Sequence, residues 1–106
     1  MLLKVKLSKI IINLCHSDLR EMNKLITGGI LKVLMNQLHI CVEPRVNINI
    51  IWALNNICST SLKFRNKILS ECPEVFSRLN DLVHLNSLDT QLHFEAVFFT
   101  FSMLTY

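Results

Sequence analysis

The chain repeats itself at an interval of 43 residues: IINLC at 11–15 aligns with LNNIC at 54–58, and NKLITGGI at 23–30 with NKILSECP at 66–73. At the same interval Leu7, Ile10, Ile11 and Leu14 fall under Ile50, Ala53, Leu54 and Ile57. A third copy, HFEAVFFTFSM at 93–103, is displaced from the second by 46 residues. Self-similarity of this kind means units that bury their apolar faces against one another rather than each within itself. The apolar positions inside a unit recur at helical spacing. With only two Gly and two Pro in 106 residues the chain lacks the turn residues an all-β fold needs.

Each period divides into three helical pieces. The spacing predicts a short helix near Leu19–Ile26, a Gly28-Gly29 turn and a second helix near Ile30–His39. Gly28 is expected to be the left-handed residue that stops the first helix. A long helix is expected over Arg45–Ser59, begun by Pro44, with Val46, Ile50, Ala53, Leu54 and Ile57 toward the core. In the next period the helices are expected near Leu62–Ser70, Pro73–Leu85 and Thr90–Thr105, with Pro73 opening the middle one. The organisation expected is one unit over 1–106: residues 1–16 as the final helix of a first repeat, 17–59 as a second repeat and 60–106 as a third. Periods of about 40–47 residues are those of HEAT and armadillo solenoids. The fold class expected is therefore all-α, an armadillo-type right-handed superhelical solenoid of about two and one-third repeats.

The face of the long helix that the core does not use is polar. Arg45, Asn49, Trp52, Asn56 and Ser59 recur at spacings of four and three, which aligns them opposite Ile50, Ala53, Leu54 and Ile57. The corresponding line reads Leu2, Lys6, Lys9, Asn13 and His16 in the first copy. In the third it reads Gln91, Glu95, Phe98, Ser102 and Thr105. Stacked helices stand about 8–10 Å apart, and an extended peptide rises about 3.3 Å per residue, so successive lines would meet such a peptide at every third residue. An Asn amide can donate to and accept from a peptide unit. An indole offers a flat wall to a Lys or Arg stem and attracts its charge. The alternative reading of the same spacing packs Trp52 against the adjacent repeat and leaves Asn56 to cap a loop.

Residues 51–58, IWALNNIC, resemble the third-helix signature of armadillo repeats, in particular the Trp-Ala-Leu-x-Asn-Ile form of the importin alpha family. NKLITGGILKVL at 23–34 is similar to that family's first-to-second helix junction, and FEAVFFTFS at 94–102 to the third helix again. The resemblance covers nearly the whole chain. It implies a surface that binds nuclear localisation signals, Asn clamping the peptide backbone and Trp stacking on its basic side chains. That role passes to Trp52 and Asn56, and to Asn13 for the clamp alone. Lys9 stands at the first Trp position, and Phe98 and Ser102 replace the third pair. The peptide-binding set expected is Trp52, Asn56, Asn49, Asn13, Glu95, Phe98 and Ser102. The resemblance implies part of an import receptor, without the basic segment that importin alpha uses to bind importin beta.

Composition narrows the remaining classes. Hydrophobic residues make up 51% and charged residues 18%, too apolar for a disordered tail. The net charge of +3 is scattered, so no nucleic-acid partner is expected. Lys4, Lys6 and Lys9 interrupt the apolar start, which argues against a signal peptide, and no window has the roughly 18 uninterrupted apolar residues of a membrane span. Cys15, Cys41, Cys58 and Cys72 form no CxxC pair and have no His at zinc-ligand spacing, so buried thiols in the cytoplasm or nucleus are expected, with no metal and no cofactor. Cys15 and His16 are adjacent, and consecutive helical side chains diverge by about 100°, so they make no nucleophile and base; no enzymatic activity is expected.

Two further readings stay open. Lys6, Lys9 and Arg45 put positive charge on the line, which favours a generic armadillo scaffold with acidic ligands. Alternatively the chain is a truncated product whose uncapped apolar ends self-associate.

Overall fold

The computed structural model describes residues 18–40, 43–86 and 88–105. Among these residues the chain is all-helical, without strands: α1 (Leu19–Thr27), α2 (Ile30–Ile40), α3 (Pro44–Thr60), α4 (Leu62–Glu71), α5 (Val75–Leu85) and α6 (Thr90–Thr105). Residues 1–16, and with them Asn13, Lys6 and Lys9, lie outside the described residues.

The helix starts are set by local chemistry. Asp18 caps α1, its Oδ1 accepting from the Glu21 N–H at 2.9 Å. Ser61 caps α4 through the Phe64 N–H, and Asp89 caps α6 through the Leu92 N–H. Each such cap contributes about 1 kcal/mol by satisfying an amide that has no partner within the helix. Pro44 opens α3, as its fixed φ and missing N–H suit a first-turn position.

Two sequence expectations are corrected. The left-handed residue after α1 is Gly29 (φ 93°), not Gly28, whose φ of −76° continues the helical backbone for one more residue. A side chain at Gly29 would meet no neighbouring atom, but its φ excludes one at low cost. Pro73 does not open α5. The Val75 N–H donates to the Cys72 carbonyl at 3.1 Å, and Glu74 sits at φ −79°, ψ −1°. That is a type I turn with Pro73 at its first corner, so the helix begins two residues later.

The helices form two successive triplets, of 9, 11 and 17 residues and then of 10, 11 and 16. The two long helices, α3 and α6, pack against each other more extensively than any other pair, and α3 also packs on α4 and α2. The core residues expected on α3, Val46, Ile50, Ala53, Leu54 and Ile57, are all buried. Displaced by 46 residues, Leu92, Ala96, Phe99 and Met103 are the buried residues of α6 that match Val46, Ile50, Ala53 and Ile57. Burying one such Leu, Ile or Phe removes it from water for about 1.5–3 kcal/mol.

Two arginines tie neighbouring layers. Arg78 Nε on α5 donates to the Leu38 carbonyl near the end of α2 at 2.8 Å, and Arg65 Nη1 on α4 donates to the Met103 carbonyl near the end of α6 at 2.7 Å. Each carbonyl is in the last turn of its helix, where intrahelical donors run out and the helix dipole favours a cation. Arg78→Met keeps the aliphatic stem and removes the charged donor. It is expected to cost about 1.5–3 kcal/mol, read as a lower urea midpoint at unchanged slope.

Candidate peptide-binding face

Helical spacing places Arg45, Asn49, Trp52, Asn56 and Ser59 along α3, beside α6 with Gln91, Glu95, Phe98 and Ser102. Trp52 is 46% exposed, and so is Phe98 at the matching position of α6. Both rings therefore stand outside the interior. Arg45, Ser59 and Gln91 are exposed, whereas Asn49, Asn56 and Ser102 are half-buried. The carbonyl of Asn56 accepts from the Thr60 hydroxyl at 2.6 Å and the Ser59 hydroxyl at 3.2 Å, which fixes the last turn of α3.

Glu95 departs from the rest of the line. It is only 7% exposed, set in the contact between the two long helices. Burial raises the pKa of its carboxyl above the usual value, and a hydrogen bond with the Trp52 side chain acts in the opposite direction. The indole N–H has no acceptor capacity, so Trp52 is the donor and the carboxylate the acceptor. Trp52 is thus held by its polar edge while half of its surface stays open. Asn49, the counterpart of Glu95 on α3, has a buried Nδ2 with no hydrogen-bond partner.

At the N-terminal ends of the two helices lies a cleft of about 410 Å³, walled by Glu43, Arg45, Ile48, Asn49, Asp89 and Gln91. It continues the line toward the helix starts and mixes one guanidinium with two carboxylates, of which Asp89 is engaged in its cap. Farther along, the rings of Phe94 and Phe98 stack with centroids 6.1 Å apart and planes 17° apart. Phe94 did not belong to the expected set. Its position four residues before Phe98 was the available signal, since such residues share a helix face.

The two described cysteines, Cys58 and Cys72, are buried free thiols. Burial pushes both up to about 11; Arg65 partly opposes the rise at Cys58, and Glu74 and Glu71 add to it at Cys72. Thiols held this far up stay protonated at neutral pH and are poor nucleophiles. Among the described residues no group of three or more His, Cys, Asp or Glu side chains is placed to hold a metal ion. No described helix is long and apolar enough to cross a membrane.

Comparison with protein-family models, with curated proteins and with solved structures found no match to this chain.

Proposed function

We propose that the α3–α6 face binds an extended peptide, and that the chain is an armadillo-type module, related through its third helices to importin alpha, that serves nuclear protein import in the cytoplasm and nucleus. In this reading it is a binding protein without catalytic chemistry of its own. The resemblance of residues 51–58 and 94–102 motivates the family; the two helix triplets with a common burial pattern support the stacked arrangement.

One observation carries the reading: two aromatic rings, each 46% exposed at matching positions of adjacent long helices, with the buried carboxylate of Glu95 hydrogen-bonded to one of them. A lysine or arginine stem lying over Trp52 and Phe98 would be walled by aromatic surface and directed toward a negative charge. Each cation–π contact contributes about 0.5–2 kcal/mol. Asn49 and Asn56, flanking Trp52 along the helix, would engage the peptide backbone.

Trp52 is the sole tryptophan, so its fluorescence reports on this site alone. A lysine-rich localisation peptide is expected to shift its emission saturably. By calorimetry, Trp52→Ala and Asn56→Ala are each expected to weaken binding by roughly five- to thirtyfold, the equivalent of about 1–2 kcal/mol. Unchanged emission at millimolar peptide would defeat the proposal.

A second reading rests on Arg45. Its exposed guanidinium beside the 410 Å³ cleft suits an acidic side chain, as a generic armadillo scaffold would use it. Acidic and basic peptides compared at low and moderate salt separate the two readings, since only the preferred sign should gain affinity as salt falls.

A further inference from the structure

The side of α6 that α3 does not cover is apolar along its length. Phe94 is 64% exposed, Val97 67%, Phe101 63% and Leu104 78%. These positions recur at spacings of three and four, so they form one ridge. Next to it, between α5 and α6, runs a groove of about 490 Å³ walled by Phe76, Leu79, Val83, Ala96, Val97 and Leu104.

The pattern of burial says what kind of element fits there. Displaced by 46 residues, Phe94, Val97 and Leu104 correspond to Ile48, Ile51 and Cys58 of α3, which are buried. The long helix that packs most extensively on α3 is α6. The open face of α6 is therefore the same surface one step along, and its natural cover is another long helix of this type.

We propose that this face pairs with its own counterpart on a second copy of the chain, α6 against α6, in a two-fold dimer. Charge and area both favour that occupant. The only Asp, Glu, Lys or Arg in α6 is Glu95, which is buried, so bringing two such faces together opposes no like charges. On the ridge itself, Phe94, Val97, Phe101 and Leu104, a peptide of either charge would find no partner for its charged side chains. The four ridge residues expose roughly 500 Å² per copy. The groove shares Val97 and Leu104 with the ridge and adds little, so two copies together bury about 1,000 Å², the lower end of a specific interface and the size of a weak dimer. A ridge and a groove on one face are what a two-fold contact requires, because each copy supplies both.

The surface borders the Trp52 line where Phe94 stacks on Phe98, but Val97 and Leu104 lie outside that line, so substitutions there test the dimer without touching the peptide-binding residues. Sedimentation velocity on the full chain from about 1 to 100 μM, a range that brackets micromolar association, is expected to show a monomer–dimer equilibrium. Added salt should not weaken it, as the contact is apolar. Val97→Lys and Leu104→Lys are each expected to raise the dissociation constant at least tenfold with helical circular dichroism and melting temperature retained. Leu88→Lys, at an exposed apolar residue outside the face, should leave it unchanged. A wild-type monomer throughout the range would overturn the proposal. So would lysine variants that still dimerise, a mass that grows with concentration without levelling at the dimer, or monomers that partition onto neutral phospholipid vesicles.

Discussion

Glu95→Gln is expected to weaken binding of a lysine-rich peptide by about thirtyfold or more and, at neutral pH, to stabilise the free protein. The two effects have one cause. The carboxyl is almost fully buried against Trp52, and its pKa in the folded chain lies above the ordinary glutamate value. Between the unfolded and folded pKa values the folded chain holds a proton that the unfolded chain has released. Stability is therefore greatest below the unfolded value and falls as pH rises through the folded one. Glutamine resembles the protonated acid, keeps an oxygen for the indole N–H and removes that loss, so the variant's melting temperature should exceed the wild type's at pH 7 and show a smaller pH dependence. A bound cation needs the ionised form. Removing a buried charge from such a pair costs about 2–5 kcal/mol of binding, and wild-type affinity should decline as pH falls through the raised pKa. Calorimetric titrations at several pH values check both halves. Equal affinity of variant and wild type at pH 7 would take Glu95 out of the site; a gain for acidic peptides would favour the scaffold reading.

The helices were legible in the sequence because caps and apolar spacing are local. Asp18, Ser61 and Asp89 mark helix starts, and the core set on α3 follows from its period. What the sequence concealed depended on neighbours. The apolar period of a helix marks one buried stripe, whereas each further neighbour buries residues outside it. In the structure α3 lies against α6 as well as α2 and α4, so Asn47, Ile48 and Ile51 are buried too. Asn47 is fully buried with neither amide atom hydrogen-bonded, an outcome that residue type alone argues against. Spacing aligns Glu95 with the polar line opposite the core; the width of the α3–α6 contact buries it. Gly28 and Pro73 misled at the scale of one or two residues, where a helix stop and a turn draw on the same residue types.

The same dependence on neighbours makes Phe99, with Phe64 one of the two largest fully buried side chains among the described residues, costly to truncate. Its ring is fully buried, on α6, with its centroid 6.2 Å from that of Phe76 on α5. Phe99 matches Ala53 of the first triplet at the displacement of 46 residues, so Phe99→Ala writes the first triplet's residue into the second. The surroundings do not allow the exchange to be neutral. Ala53 is buried without needing a ring, whereas around Phe99 the space is shaped by the aromatic pair with Phe76, and removing the ring leaves a cavity. Phe→Ala in a packed core costs about 3–5 kcal/mol, a large part of the roughly 5–15 kcal/mol that holds a domain folded. Phe76→Ala should cost less because that ring is only half-buried. A double-mutant cycle between the two should show a coupling of about 0.5–1.5 kcal/mol. The loss should also reach the peptide face, since α6 carries Glu95 and Phe98, so a loosened α6 should reduce peptide affinity before the chain melts. Urea unfolding of the single and double variants measures the energies. A cost below about 1 kcal/mol for Phe99→Ala would mean that α6 is not held against α5 by this pair, and that the placement of Glu95 and Phe98 beside Trp52 has another origin.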